Sequence, residues 1–264
     1  MLVDALAHLN DPRIPDVSAL LIRARDAGVS DIVLGGTDPV NDSESMPQAP
    51  DGLHIWRAFG IHPMVVGQRP LSEQLRSLRE RLTGPNVVAI GECGLDRRPG
   101  MPPLVAQKDA FKAQLKLACE LDLPVIFHQV RAMGAFVDLV QEPEFHGLRG
   151  MVHGYSGSAE SARQLVKRGF YISFGTNLLS VRQKHARASL LEIPDRQLLV
   201  ESDAPNHPPP DSPRPICEPV DLHLILQQMS TLRQASLAQL RALTADNAKN
   251  LFRLPTQNGC GHAP

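Results

Sequence analysis

The sequence predicts an α/β fold and, within that class, a (β/α)8 or TIM barrel. Three observations carry the prediction. Strand-like and helix-like patterns alternate along almost the whole chain. The 264 residues match the size of such a barrel, about 250 residues. Polar side chains able to do chemistry stand at the C-terminal ends of the apolar runs, the end where these barrels build their sites. The rival is an open doubly wound sheet, but no G-x-G-x-x-G turn supports it.

The elements follow in order. Leu2–Asp4 is a first strand, with His8 shortly after it. Leu20, Leu21 and Ala24 recur at helical spacing over 17–27, and Asp16 is placed to cap that helix. Asp31–Leu34 is a second strand, stopped by Gly35-Gly36, and the polar stretch 37–52 is a loop. A third strand, Ile55–Phe59, runs into Gly60-Ile61-His62-Pro63, and 71–82 is a charged amphipathic helix. The fourth run, Val87-Val88-Ala89-Ile90, meets Gly91 and then Glu92. Such a short apolar run bounded by glycine reads as a buried parallel strand. A helix over 104–121 shows Ala110, Phe111, Leu115 and Ala118 on one side. Leu123–Phe127 ends in His128 and Gly150–Val152 ends in His153, with a helix over 133–140 between them. A helix over 159–168 leads to the strand Phe170–Phe174, and a helix is expected over 178–191. Leu198–Val200 ends in Glu201-Ser202-Asp203, and two helices, near 220–232 and 236–252, complete the pattern.

These elements make one domain over residues 1–254, with 255–264 as a flexible C-terminal tail. Residues 205–219 hold seven prolines and read as a stiff loop, since a helical pattern resumes directly afterwards. The net charge of −1 argues against a protein that holds nucleic acid by its overall field, while leaving room for a local basic patch. Cys93, Cys119, Cys217 and Cys260 show no paired spacing and read as reduced thiols of a cytoplasmic protein. No signal peptide is expected from the first residues. No apolar run approaches the roughly 18 residues of a membrane span.

His8, Glu92, His128, His153 and Asp203 form a nitrogen and oxygen donor set suited to a divalent ion, Zn²⁺, Mn²⁺ or Mg²⁺. Glu92 has two oxygens to share between two ions, and Asp203 is placed to bind metal and to take a proton from water. Plainer readings stand beside these. A histidine at a strand end is often only a satisfied polar residue, Glu92 can pair with an arginine, and Asp203 can cap a turn. Asp96 either orients a ligand histidine or caps a helix. Arg97, Arg98 and Arg131 lie in loops at the same end, as solvated charges or as phosphate ligands. Ser156-Gly157-Ser158 is either a helix cap or an anion cradle. Trp56 and Tyr155 are the candidate stacking platforms for bases.

Several motifs resemble the TatD family of metal-dependent deoxyribonucleases, within the amidohydrolase-like barrels. They are Gly60-Ile61-His62-Pro63, Gly91-Glu92-Cys93-Gly94-Leu95-Asp96, Pro124–His128, His153-Gly154-Tyr155-Ser156-Gly157, Glu201-Ser202-Asp203-Ala204-Pro205 and Asn247–Phe252. The resemblance implies a barrel of the metal-dependent hydrolase type. It implies a divalent-metal site from Glu92, His128, His153 and Asp203, with His62 near the substrate phosphate. It also implies hydrolysis of DNA, single- or double-stranded, often from the 3′ end. One departure stands out. The family opens with Asp-x-His-x-His, whereas this chain has Asp4-Ala5-Leu6-Ala7-His8. Residues 4, 6 and 8 of a strand share a face, so Leu6 is expected where a ligand would be. One firm metal position and one weak or absent position follow. Two other functions stay open: a weakened scaffold that binds nucleic acid or a protein partner, and an amidohydrolase acting on a small cyclic amide or ester.

Overall fold

The computed structural model describes residues 1–42 and 46–255. Its eight parallel strands follow chain order around a barrel. They are β1 (Leu2–Ala7), β2 (Val29–Gly35), β3 (His54–Phe59), β4 (Val87–Asp96), β5 (Val125–Val130), β6 (Gly150–Val152), β7 (Tyr171–Phe174) and β8 (Leu198–Val200). The principal helices are α1 (Val17–Asp26), α2 (Leu71–Leu82), α3 (Leu104–Leu121), α4 (Met133–Val140), α5 (Ala159–Lys167), α6 (Lys184–Leu190), α7 (Leu222–Arg233) and α8 (Leu237–Phe252). Asp16 caps α1 through a 2.9 Å hydrogen bond from the Ala19 N–H, as its place in the sequence predicts. The tail expected over 255–264 lies, apart from Pro255, outside the described residues.

Strand alternation divides the core into two apolar layers. Val33, Ala58, Ile126, Met151 and Leu199 face the barrel interior. Their neighbours Ile32, Phe59, Phe127, Val152 and Val200 face the helices. Ala248, Leu251 and Phe252 of α8 join the interior layer. Arg149, just ahead of β6, donates to the Leu251 carbonyl at 3.1 Å. This contact places the end of α8 at the N-terminal mouth, leaving the opposite mouth for the site.

Two details depart from the sequence pattern. The helix expected over 178–191 is broken into a 3-10 turn, Thr176–Leu179, and the short α6. The Ser180 hydroxyl accepts from the Arg182 N–H at 3.3 Å, and a serine bonded locally in this way competes with helical pairing. In β1, the register against β2 shifts between Asp4 and Ala7. Leu6 consequently joins Val3 and Ala5 in the interior layer. The Asp4 carboxylate instead takes the Ser202 N–H at 2.8 Å. Leu6 and His8 still point to one side of the strand, since both side chains abut Gly35. The seam between β8 and β1 is closed by the Asp203 N–H to the Leu6 carbonyl at 2.9 Å and the His8 N–H to the Ala204 carbonyl at 2.6 Å.

Candidate metal centre

Three inner columns of side chains, those of β5, β6 and β8, end in a polar residue two positions beyond the last apolar one. Ile126 is followed by His128, Met151 by His153, and Leu199 by Glu201 and then Asp203. A two-residue step keeps the side chain on the inner face, so these residues meet above the packed interior. They open into a cavity of about 1190 Å³ at the C-terminal mouth, which His8, Glu92, His128, His153 and Asp203 all line. Two glycines let the strands approach closely enough. A Cβ on Gly60 would lie 2.5 Å from the Glu92 carbonyl oxygen, and one on Gly94 only 1.9 Å from that of His128.

Glu92 stands at the centre with its carboxylate divided. Its Oε2 lies 2.6 Å from His153 Nε2 and 3.5 Å from His128 Nδ1, and those two nitrogens are 3.1 Å apart. Its Oε1 lies 3.0 Å from His8 Nε2, which is 3.3 Å from Asp203 Oδ1. Donors around one cation with bonds of about 2.0–2.2 Å stand roughly 3.0–3.5 Å from one another. The spacing on both sides of Glu92 is close to this, and hard oxygen with borderline nitrogen is a donor chemistry that fits Zn²⁺, Mn²⁺ or Mg²⁺.

The far nitrogen of each ring decides what the near one presents. His8 Nδ1 is 3.0 Å from the Gly35 carbonyl, which can only accept, so Nδ1 keeps a proton and in the neutral ring Nε2 turns its lone pair inward. His128 Nε2 is 3.1 Å from Asp96 Oδ2, leaving Nδ1 as the inward donor atom. His153 Nδ1 faces Glu201 Oε1 at 3.4 Å. A carbonyl or carboxylate behind the ring holds a ligand histidine in the way seen at His8 and His128, whereas His153 Nδ1 has the carboxylate near it but no hydrogen bond. Asp96 thus orients His128. Its carboxylate is held by Arg98, through Nε at 2.8 Å and the backbone N–H at 2.8 Å. Burial alone would raise the Asp96 pKa, but the His128 and Arg98 hydrogen bonds hold it well below the usual carboxylate range.

His62 is different. One of its nitrogens lies within 4.8 Å of donor atoms of Glu92 and His128, as a ligand's would. Its Nδ1, however, accepts the Met64 N–H at 3.1 Å. The ring proton of the neutral imidazole is therefore on Nε2, which donates and does not coordinate. Burial, helped by the neighbouring His128, pushes its pKa down to about 3, so the ring stays neutral.

The remaining residues fall into place around the mouth. Arg131 lines the cavity, exposed, with a left-handed backbone (φ 53°). Among the described residues no hydrogen bond or ion pair holds its side chain. Arg98 lines the cavity, whereas Arg97 is exposed and is not among the lining residues. Asp203 also has a left-handed backbone (φ 53°), and its Oδ1 accepts from Asn206 Nδ2 at 3.2 Å. Ser158 is a helix cap, its hydroxyl accepting the Ser161 N–H at 3.1 Å. Neither proposed stacking platform faces the cavity. Trp56 packs against the inner layer and donates to Asp31 at 3.0 Å, while Tyr155 is 2 % exposed and donates to the Ser158 carbonyl. The interior alternation of β3 and the buried turn after β6 claim these rings for packing. Glu201 is absent from the candidate set read off the sequence, although it stands one step before Asp203 on the same inner column.

The charge pattern gives a pH prediction for the chelated protein. Burial lowers the His8 and His153 pKa values, but Glu92, with Asp203 beside the first and Glu201 beside the second, more than offsets it and holds both well above 6.5. Burial likewise opposes charge on Glu92 and is outweighed by His153 and His8, which hold its pKa well below 4.5. Raised histidine values contribute stability that is complete below an unfolded pKa of about 6.5 and is lost as pH climbs through the folded values. The depressed Glu92 value contributes stability above the ordinary carboxylate pKa, lost as pH falls through the folded one. The Tm of chelated protein should therefore fall as pH rises above about 6.5. Over the same interval Mn²⁺ affinity should rise, with proton release, because ligand rings must shed protons. Calorimetry in buffers of different ionisation enthalpy measures both, and an affinity flat across that interval would contradict the arrangement.

Comparison with known proteins places the chain in a family. Residues 3–253 match the family described as TatD related DNase. The chain is 33% identical over 255 residues to the uncharacterized metal-dependent hydrolase YabD of Bacillus subtilis, covering 96% of this chain and 100% of that protein. It is 35% identical over 249 residues to the 3′-5′ ssDNA/RNA exonuclease TatD of Citrobacter rodentium, covering 90% of this chain and 92% of the relative. The crystal structure of the TatD homologue YjjV from Escherichia coli superposes with a TM-score of 0.86 at 27% identity, over 96% of this chain and 98% of that one.

Proposed function

The chain belongs to the TatD related DNase family of metal-dependent hydrolases, and we propose that it hydrolyses DNA phosphodiester bonds, trimming strands from the 3′ end. The observation that carries the reading is the divided carboxylate of Glu92, with histidine donors on both sides at 2.6–3.5 Å. A relative named as a 3′-5′ exonuclease of single-stranded DNA and RNA supports the substrate class. Buried unpaired thiols at Cys93 and Cys217 suit a reducing, cytoplasmic setting. No helix among the described residues is long and apolar enough to cross a membrane.

Glu92 Oε2, His128 Nδ1 and His153 Nε2 would hold the firm ion. Glu92 Oε1, His8 Nε2 and Asp203 Oδ1 would hold a weaker one, because Leu6 takes the place of a further ligand. Leu6 has that place: its Cδ1 and His8 Cε1 both lie within 3.1 Å of where a Cβ on Gly35 would be. A bound divalent ion acidifies a coordinated water and polarises the phosphoryl oxygen. The Asp203 carboxylate, through the oxygen that is not the metal donor, would accept the proton of the attacking water. The Nε2–H of His62 donates to a non-bridging phosphate oxygen, and neutrality keeps that proton in place. Arg131 pairs with phosphate at the mouth, where its guanidinium can make two parallel hydrogen bonds. Arg98 is occupied with Asp96, and Arg97 stands further out as a non-specific phosphate contact.

Leu6 itself favours one other reading, a binding scaffold with weakened catalysis. The two are separated by metal analysis and cleavage of 5′-labelled single- and double-stranded DNA, on the unaltered protein and on Leu6→His. Chelated protein should be inactive and recover with Mg²⁺ or Mn²⁺. It should carry one tightly held ion, and Leu6→His should carry two with only a modest gain in rate. Full activity after thorough chelation would rule out the metal mechanism. A silent unaltered protein brought to life by Leu6→His would establish the scaffold instead.

A further inference from the structure

Behind His153 lies a carboxylate to which the reaction above gives no part. Glu201 is fully buried, between Leu199 and Asp203 on the inner column of β8. Its Oε1 accepts the Gly154 N–H at 2.5 Å and faces His153 Nδ1 at 3.4 Å. Gly154 has a left-handed backbone (φ 54°), which turns the chain immediately after His153. This oxygen thus holds the backbone N–H next to His153 and sets its charge beside the ring, whose Nδ1 has no hydrogen-bond partner among the described residues. The second oxygen, Oε2, is buried with no hydrogen-bond partner among the described residues.

Asp96 backs His128 in the same manner, but Arg98 offsets its charge. No arginine or lysine among the described residues pairs with Glu201. A buried carboxylate with an unpartnered oxygen is costly unless positive charge lies close by. The imidazole of His153 touches Glu92 on one side and Glu201 on the other.

We propose that Glu201 is the positioning residue of the metal centre: it fixes the ring of His153 with its proton on Nδ1, and its uncompensated charge strengthens the hold of Glu92, His128 and His153 on their ion. The assignment rests on the reading of those three residues as a metal position. An imidazole whose far N–H faces a carboxylate is the better donor at its near nitrogen. Leu6 makes this matter more in the present chain, since the position served by β1 has one ligand fewer to share the load.

The test is Mn²⁺ titration of chelated protein by calorimetry, comparing unaltered protein with Glu201→Gln, together with the Tm of each metal-free protein. Glutamine keeps the volume and an oxygen for the Gly154 N–H but removes the charge. Mn²⁺ affinity should fall roughly 10–100-fold, with the metal-free Tm unchanged or raised. A purely structural role would lower the Tm and leave the affinity of folded protein alone. Affinity within twofold of the unaltered protein overturns the assignment while leaving the metal reading intact. If the unaltered protein binds no Mn²⁺, the metal reading fails and takes the assignment with it. Nitrogen-15 NMR of the unaltered chain, titrated until the ring is neutral, gives a check that needs no variant: the remaining His153 proton should reside on Nδ1, and a neutral ring protonated on Nε2 overturns the proposal.

Discussion

Glu92→Gln should abolish tight Mn²⁺ binding and lower hydrolysis by about a thousandfold or more, equivalent to roughly 4 kcal/mol of transition-state stabilisation. Glu92 is the one side chain that both halves of the centre share, with Oε1 toward His8 and Oε2 toward His128 and His153. An amide of the same size presents one neutral oxygen and a nitrogen that cannot coordinate, so one half loses its oxygen donor and the other keeps only an uncharged one. The fold should survive, because glutamine conserves volume and the inner apolar layer lies below it. Circular dichroism and thermal melting would establish folding, calorimetry would give the affinity, and a labelled oligonucleotide would give the rate. Cleavage within tenfold of the unaltered protein, at saturating Mg²⁺ or Mn²⁺, would show that the reaction runs elsewhere.

Gly94→Ala should be nearly as damaging to activity, and by another route. Gly94 pairs with His128 across β4 and β5, and an added Cβ would lie 1.9 Å from the His128 carbonyl oxygen. The obstacle is backbone, which cannot swing aside as a side chain can. The φ of 152° at Gly94 is also one that residues with a Cβ rarely adopt. Overpacking and backbone strain together should cost about 3 kcal/mol or more. For a chain of this length that corresponds to a Tm lowered by roughly 6–12 °C. The strands must part exactly where His128 joins the centre, so metal affinity should fall along with stability. A variant with unchanged Tm and unchanged Mn²⁺ binding would mean that β5 has slack which the distances deny. The two variants differ in signature: Glu92→Gln removes function and spares the fold, whereas Gly94→Ala weakens both.

Much of the architecture was readable from the chain alone. Apolar runs such as Val125-Ile126-Phe127 and Leu198-Leu199-Val200 are buried on both faces, so their composition marks them as strands without tertiary information. The spacing of Leu20, Leu21 and Ala24 and the cap at Asp16 gave α1 in the same way. Local signals were weaker where local bonds compete, as at Ser180, and the expected helix broke there. The residues that converge around Glu92 were legible because each follows an apolar strand directly. Glu201 was not, since nothing in Glu201-Ser202-Asp203 says which acid joins Glu92 and His8 and which stands behind His153.

By itself, then, the sequence determined the order of strands and helices and which polar side chains end the strands, because burial and periodicity are properties of neighbouring residues. Closure of the barrel decided the rest. Only it brings Glu92 within 3.5 Å of rings from three other strand ends. It also gives His8 and His128 the partners that fix their protons and brings Glu201 behind His153. Those are contacts between segments tens to hundreds of residues apart. Their distances depend on register and strand approach around the whole ring, which no local stretch of chain encodes.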